Sequence, residues 1–343
     1  MQNVKLTSYS HGAGCGCKIA PSVLEEILRT SGKTFRDPKL LVGNETKDDA
    51  AVYQSDDDKV IISTTDFFMP IVDDPFDFGY IAAVNAISDI YAMGGKPVMA
   101  LSILGWPVDK LSAEMACTVL EGAREACKKA NISLAGGHSI DTPEPIFGLA
   151  VTGTGKKQHI KTNNSATPGC ELFLTKPLGI GILTTAQKKG IVKEADLALA
   201  VNSMKTLNDP GEELGKLNYV KSMTDVTGFG LLGHLIEMCE GSGVSAEIHY
   251  EKVPRFSNIG EYIGQKSYPG GTTRNFKSYG HKVSELSEEQ KILLCDPQTS
   301  GGLLIALETA GRDQFMKLIQ GMSLNLNPIG KIIPPTSHVV KVI

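Results

Sequence analysis

Two cysteines and a lysine lie in a glycine-rich segment near the N-terminus, residues 11–18, which reads HGAGCGCK. Two thiols one residue apart can bind a soft metal, form a strained disulfide or act as nucleophiles. The chain has no second cysteine pair at zinc-ligand spacing, which argues against a closed structural zinc site. Because the alternating glycines leave the backbone mobile, we expect Cys15 and Cys17 to be open to solvent. Lys18 should favour the thiolate, the reactive form. The segment predicts a catalytic thiol, with a fortuitous surface thiol as the alternative.

Carboxylates recur in four separate segments, and the four that we single out are Asp49, Asp66, Asp89 and Asp225. Mg²⁺ is held in proteins by carboxylates together with substrate phosphates. Aspartates that converge from separate elements would suit two or more ions on a triphosphate. For each aspartate taken alone, a helix cap or a solvated loop residue is the alternative.

Two glycine segments, 136–139 (GGHS) and 228–230 (GFG), can present backbone N–H groups to phosphate oxygens. Lys47 and Lys176 can reach phosphates, although plain turns and solvating lysines are the alternatives. A Walker A loop is excluded, because the GKT at 32–34 would need a glycine at position 27, where the chain has Ile27. No G-x-G-x-x-G opens a βαβ unit. A nucleotide would therefore be bound by another architecture.

The composition is that of an ordinary globular protein. The chain has 343 residues, 41% hydrophobic and 21% charged, with a formal net charge of −4. We see no basic footprint for nucleic acid and no apolar run of the roughly 18 residues that span a bilayer. Seven irregularly spaced cysteines argue against a secreted disulfide framework. We expect a soluble, cytoplasmic protein, with Cys117, Cys127 and Cys239 buried in helices.

The elements that must position the candidate residues follow from local patterns. A strand is predicted over 60–65, running into Asp66, and a helix over 80–93 that carries Asn85 and Asp89 on one face. Residues 98–104 read as a buried strand and 272–280 as a loop. Strands and helices mix without a strict βαβ rhythm, so we predict the α+β class. A polar stretch at 153–169 suggests three parts: a flexible catalytic loop (1–20), an N-terminal domain (21–155) and a C-terminal α+β domain (156–343).

Seven motifs together resemble one family along essentially the whole chain. They read YSHGAGCGCK at 9–18, VGNETKDDAA at 42–51, STTDFF at 63–68, NAISDIYAMGG at 85–95, AGGHS at 135–139, TDVTGFGLLGH at 224–234 and DPQTSGGL at 296–303. The chain resembles the selenophosphate synthetases (selenide, water dikinases), which belong to the aminoimidazole ribonucleotide synthetase-like superfamily. The cysteine and lysine loop separates that family from its relatives.

The resemblance implies that ATP, selenide and water give selenophosphate, AMP and phosphate, with several Mg²⁺ ions bound. It assigns the essential positions to Cys15 and Lys18, while Cys17 matches a cysteine that is not thought essential. The metal ligands carry over to Asp49, Asp66, Asp89 and Asp225. In the chemistry that follows, Cys15 receives or guides selenium while Lys18 pairs with phosphate oxygens.

The same resemblance implies a two-domain α+β subunit in which residues 21–155 bind ATP and Mg²⁺ and form a homodimer by joining their sheets into a barrel. The ATP-binding set that we predict comprises Lys18, Lys47, Asp66, Asp89, Gly136, Gly137, His138 and Ser139. Another ATP-using member of the superfamily and a non-catalytic thiol or metal-binding protein are the alternatives.

Overall fold

The structure, a computed structural model, describes residues 4–19, 21–28, 37–43 and 48–343. Its first half is built on a six-stranded sheet with the order β1-β2-β3-β6-β4-β5, in which only β4 and β5 run parallel. The strands are β1 (Leu40–Val42), β2 (Ala51–Gln54), β3 (Lys59–Phe68), β4 (Lys96–Trp106), β5 (Ser133–Asp141) and β6 (Ile146–Lys156). We call it sheet one.

The second half is built on another six-stranded sheet, sheet two, with the order β12-β9-β11-β7-β10-β8. Here only β9 and β12 pair in parallel. The strands are β7 (Glu171–Leu174), β8 (Val220–Asp225), β9 (Ser245–Ile248), β10 (Leu303–Leu307), β11 (Gly330–Ile333) and β12 (Val340–Val342). Two mixed sheets with helices agree with the predicted α+β class.

Eleven α-helices occur in the described residues: α1 (Pro21–Leu28), α2 (Pro75–Ala92), α3 (Ala113–Lys129), α4 (Ile180–Lys188), α5 (Glu194–Met204), α6 (Pro210–Gly215), α7 (Gly230–Ser242), α8 (Ile259–Gly264), α9 (Gly270–Tyr279), α10 (Glu288–Leu294) and α11 (Arg312–Gly321). None of them is long and apolar enough to cross a membrane. The segment at 272–280 belongs to α9, so the predicted loop was wrong. Its polar sequence hides the helix, which packs against α7 and the N-terminal segment.

Helix α2 holds the two halves together. The Asp74 side chain caps it by accepting a hydrogen bond from the Asp77 amide at 2.8 Å, and Pro75 occupies its first turn. From Phe78 to Ala92 every residue is buried, because the helix packs on β3 and β6 of sheet one and on β8 of sheet two. The predicted helix over 80–93 is confirmed, with an earlier start.

Sheet one has one face covered by α2 and one face uncovered. The strand registers place Ile61, Phe67, Met99 and Leu101 on the uncovered face, each 40% exposed or more. The prediction that 98–104 is a buried strand was therefore wrong in the single chain, although the strand itself is present. Apolar residues on a sheet face with no helix over it stay exposed whatever their hydrophobicity.

Candidate active site

The N-terminal segment from His11 to Lys18 lies between the two halves and is tied to both of them. Gly14 to Cys17 form one turn of 3₁₀ helix. To the first half, Gly14 N donates to Met69 O (3.0 Å) and His11 pairs with Glu144 (2.9 Å). To the second half, Cys15 N donates to Thr299 Oγ1 at 3.0 Å. From that half, Lys188 Nζ donates to Gly12 O (2.8 Å) and Arg274 Nη2 to Gly16 O (2.9 Å). In this arrangement the segment forms a wall between the two halves.

The Cys15 thiol is buried, with 1% of the residue exposed, and its Sγ lies 3.3 Å from Asn85 Oδ1 on α2. Burial, followed by the charge of Asp66, raises the pKa of Cys15, and this outweighs the opposite effect of Lys18. The expectations of an exposed sulfur and a favoured thiolate were therefore wrong for Cys15. In this arrangement its thiol is neutral and donates a hydrogen bond. Cys17 is half-buried.

Three predicted ligands come together in front of this wall. Carboxylate oxygens of Asp49, Asp89 and Asp225 lie within 4.8 Å of one another. Asp89 comes from α2, Asp225 from the end of β8, and Asp49 from the loop before β2, so each half of the fold contributes. One oxygen of Asp49, Oδ2, is buried and has no hydrogen-bond partner in the described part of the chain.

Hydroxyl groups hold the other oxygens of the cluster. Thr224 Oγ1 donates to Asp49 Oδ1 at 2.9 Å. Thr64 Oγ1 donates to Asp89 Oδ2, and Ser88 Oγ donates to Asp225 Oδ2, each at 2.5 Å. The sequence analysis missed these three hydroxyl residues. Ser88 could have been found, because it adjoins Asp89 on α2, three residues from Asn85.

The cluster is electrostatically unfavourable without a cation. Burial and the neighbouring carboxylates raise the pKa values of Asp49 and Asp89 well above their usual range. Burial likewise raises the pKa of Asp225 to about 6. Desolvation and like charges both disfavour the ionised form. Three carboxylates held in this way could hold a hard cation, because oxygen ligands are what Mg²⁺ prefers.

Asp66 and Lys18 flank the cluster. Lys18 Nζ lies 4.0 Å from Asp66 Oδ2, and the Asn85 amide donates to the same oxygen. Burial would lower the pKa of Lys18, but Asp66 and the other negative groups nearby raise it, so the ammonium stays charged. Asp66 is not part of the close group of three, although it lines the same cavity.

The cavity has a volume of about 440 Å³ and carries a large excess of carboxylates over cations. Those from the described residues are Asp48, Asp49, Asp66, Asp89, Asp225 and Glu237. His234 also lines it, but burial lowers the pKa of this imidazole to about 3, and its Nε2 accepts from Thr227 N at 3.1 Å. We call this space the acidic cavity.

Other predicted phosphate-binding residues do not line the acidic cavity. Gly136, Gly137, His138 and Ser139 lie in β5, at the exposed edge of sheet one. The buried Lys176 donates to backbone oxygens of Thr206 and Ser300, and burial lowers its pKa to about 7. Lys47 lies outside the described residues.

The remaining predictions concern cysteines and the second glycine segment. Cys127 and Cys239 are buried as predicted, but Cys117 is exposed on α3, so its predicted burial was wrong. Gly228 packs against Cys15 O, and a Cβ there would lie 2.7 Å from that oxygen. The segment 228–230 therefore supports the wall beside the acidic cavity.

Gly14 and Gly16 should differ in how they affect the wall. Gly14 has φ +49°, and a Cβ on it would lie 2.3 Å from Thr299 Oγ1, whereas a Cβ on Gly16 would meet nothing closer than 3.8 Å. We expect Gly14→Ala to open the segment and speed alkylation of Cys15 by iodoacetamide about tenfold or more, since strain of this kind costs about 1–3 kcal/mol. Gly16→Ala should leave the rate unchanged. Peptide mass spectrometry measures this, with exposed Cys117 as the internal reference. Equal Cys15 rates in both variants and the wild type would contradict this packing of the wall.

The comparisons with known proteins agree with this geometry. Residues 47–155 match the family described as AIR synthase related protein, N-terminal domain, and residues 167–343 match its C-terminal domain. The fold is similar to thiamine-monophosphate kinase from Stenotrophomonas maltophilia (20% identity, TM-score 0.65, covering 89% of this chain and 91% of that one). It is also similar to the hydrogenase maturation protein HypE in complex with ATP (16% identity, TM-score 0.62, covering 87% and 82%).

Closer relatives have similar lengths and carry one name. The selenide, water dikinase of Pseudomonas putida is 60% identical over 340 residues, which is 99% of both chains. That of Sulfurimonas denitrificans is 57% identical over 343 residues, which is 100% of both. A two-domain fold of the AIR synthase type, an acidic cavity and identity at this level lead to one conclusion: the chain belongs to the selenide, water dikinase (selenophosphate synthetase) family.

Proposed function

We propose that this protein converts ATP, selenide and water to selenophosphate, AMP and phosphate. The observation that carries the proposal is the acidic cavity with Lys18 at its wall and the Cys15 thiol behind it. Family membership supports selenide as the substrate, and the ATP complex of the HypE relative supports a nucleotide in this fold. We further propose the parts 1–20, 21–155 and 156–343 as the loop, the N-terminal domain and the C-terminal domain.

The carboxylates fit Mg²⁺. Three oxygens within 4.8 Å of one another and the unpartnered Oδ2 of Asp49 are what a hard cation needs. Asp49, Asp89 and Asp225 would hold it, with Asp66 beside them. When bound, Mg²⁺ would neutralise charge on the triphosphate. Without a cation, the carboxylates would repel the nucleotide.

The N-terminal segment that forms the wall supplies two further residues, Lys18 and Cys15. Lys18 keeps its charge and is proposed to pair with phosphate oxygens, since its ammonium already faces the carboxylates. Cys15 is proposed to contact selenium, because a soft sulfur next to the reacting phosphate suits a soft nucleophile. Asn85 orients Cys15 directly and Lys18 through Asp66: its Oδ1 accepts from the thiol, and its amide donates to the Asp66 oxygen that faces Lys18. The wall also separates the reacting phosphates from bulk water.

The first test of the proposed function follows the products by ³¹P NMR under anaerobic conditions with ATP, Mg²⁺ and selenide. We expect the wild type to make selenophosphate and AMP and Cys15→Ser to make no selenophosphate. Serine keeps the size and the hydrogen bond to Asn85 but lacks the soft sulfur. Cys17→Ser is the matched control and should remain active. A wild type that produces ADP without selenophosphate would favour another ATP-using enzyme of the superfamily.

Metal binding can be tested through thermal unfolding. Asp89→Asn replaces a carboxyl group of the buried cluster by an amide that cannot ionise, so in EDTA we expect its Tm to equal or exceed that of the wild type. Mg²⁺ at about 100 times its Kd should stabilise the wild type by roughly 2.7 kcal/mol, which raises Tm by several degrees, and the variant much less. Asp57→Asn, on an exposed turn, serves as the control. An equal Mg²⁺ response in all three proteins would remove Asp89 from the metal site.

We also propose a homodimer in which the uncovered faces of two copies of sheet one join into a barrel. The exposed Ile61, Phe67 and Leu101 support this, since such a face is apolar and unpartnered in one chain. Segment 136–139 lies at the edge of the same sheet, away from the acidic cavity of its own chain. We propose that its backbone groups meet the nucleotide of the second copy.

The dimer proposal predicts different effects for two exposed leucines. Leu101→Glu on sheet one should convert a species of twice the chain mass into monomers, because a charge cannot be buried in the interface without cost. It should also raise the KM for ATP, because a monomer lacks segment 136–139 of the second copy. Leu199→Glu on α5, where the leucine is 51% exposed, should change neither. Light scattering coupled to size-exclusion chromatography measures the mass. A wild type that elutes as a monomer would refute the proposal.

A further inference from the structure

A second cavity, of about 290 Å³, is lined by residues of the N-terminal segment other than Lys18, the one that lines the acidic cavity. Gly12 and Gly16 of that segment form one wall. The opposite wall comes from the second half of the fold, through Lys188 at the end of α4 and Arg274 on α9. Nothing in the roles proposed above uses this space. We call it the basic cavity.

The two cavities have opposite charge. Among the described residues that line the basic cavity, none is a carboxylate, and Lys188, Arg274 and His11 are the basic side chains. Lys188 and Arg274 each donate to a carbonyl of the segment, at Gly12 and Gly16 respectively. The two carbonyls that these cations contact lie on either side of Cys15 in the sequence. A cavity with this lining attracts anions.

Three carboxylates outside the lining of the basic cavity accept hydrogen bonds or pair with a neighbouring side chain. Glu144 is paired with His11 at 2.9 Å, and Asp73 accepts hydrogen bonds from Thr7 and Gln187. Asp296, behind Gly181, accepts from the Gly181 amide at 2.9 Å, and burial raises its pKa to about 8. Asp296 is therefore largely neutral at pH 7. Asp73 and Glu144 still act on Lys188 from outside the lining, but within the lining itself the charged side chains are Lys188 and Arg274.

The basic cavity adjoins the reacting centre. Thr299 lines it, and Thr299 Oγ1 accepts from the Cys15 amide at 3.0 Å. Lys18, three residues further along, lines the acidic cavity. Different residues of the segment thus line the anion-attracting space and the space with the carboxylates. Part of the lining is apolar, from Ile71, Tyr268 and Pro297, which suits a weakly hydrated anion.

We propose that the basic cavity binds the selenium substrate as hydroselenide, HSe⁻, and supplies it to the Cys15 side of the wall. The inference rests on the proposed function, in which selenide is a substrate. HSe⁻ is a soft monoanion near neutral pH, and a cavity lined by cations suits it better than one lined by carboxylates. Lys188 and Arg274 give it a separate binding place. The product phosphate is also an anion, and the experiment below distinguishes the two.

Steady-state kinetics test the two cations. We expect Lys188→Met and Arg274→Gln each to raise the KM for selenide about tenfold, with the KM for ATP unchanged, since each removes one charge from the cavity. Arg274→Lys keeps the charge and should raise the KM for selenide less than Arg274→Gln does. The matched control is Lys189→Met, because the neighbouring lysine points elsewhere and donates to Lys266 O. If the cations only fix the segment, kcat falls and Cys15 alkylation speeds up while the KM for selenide stays the same, which would overturn the proposal.

Iodide, a soft monoanion of similar size, serves as the probe of the cavity itself. Iodide should compete with selenide but not with ATP, and it should compete less in Lys188→Met and Arg274→Gln. In crystals of the wild type it should give an anomalous diffraction peak between the Lys188 and Arg274 side chains. If inorganic phosphate rather than iodide competes with selenide and occupies the cavity, the space is a product site and the proposal is wrong. A wild type that makes no selenophosphate refutes the proposed function, whereas an unchanged KM for selenide in active variants refutes the inference alone.

Discussion

The rest of the structure depends on the burial of a polar stripe along helix α2. From Phe78 to Ala92 the helix is buried on all sides, yet it carries Asn85, Ser88 and Asp89. Buried polar groups must be hydrogen-bonded, and the partners come from both halves: Thr64 and Asp66 from sheet one, Asp225, Asn208 and Ser300 from the second half, and Cys15 from the N-terminal segment. The packing of the halves and the geometry of the site are therefore set by the same contacts.

The carboxylate cluster works against stability. Asp49, Asp89 and Asp225 are brought together in a desolvated place, where burial raises the pKa of each and the charge of Asp225 raises those of Asp49 and Asp89 further. The fold tolerates the cluster because three hydroxyl groups, from Thr64, Ser88 and Thr224, hold one oxygen of each aspartate. Such a cluster is retained where a cation is to be bound, since structural needs alone would favour uncharged residues.

Local patterns were sufficient to predict the helix that contains Asn85 and Asp89, the strand that runs into Asp66, and the α+β class. They failed where the outcome depends on distant residues. The burial of Cys15 requires Thr299, which lies 284 positions away, and no periodicity reports that contact. The residues from 272 to 280 lack an apolar stripe, so α9 was missed. For the strand at 98–104, the sequence predicts apolar side chains but not whether one chain covers them.

On the proposed functions, the N-terminal segment solves an electrostatic problem of the reaction. A triphosphate and HSe⁻ are both anions, and they repel each other in any single open site. The fold gives them separate spaces of opposite charge, acidic for the metal-bound nucleotide and basic for the nucleophile. The neutral thiol of Cys15 in this segment adds no further negative charge. Lys18, which lines the acidic cavity, is then the cation of the segment on the nucleotide side. A lysine at that place lowers the repulsion where the selenium–phosphorus bond must form, so the segment needs its glycines for close packing and its lysine for charge.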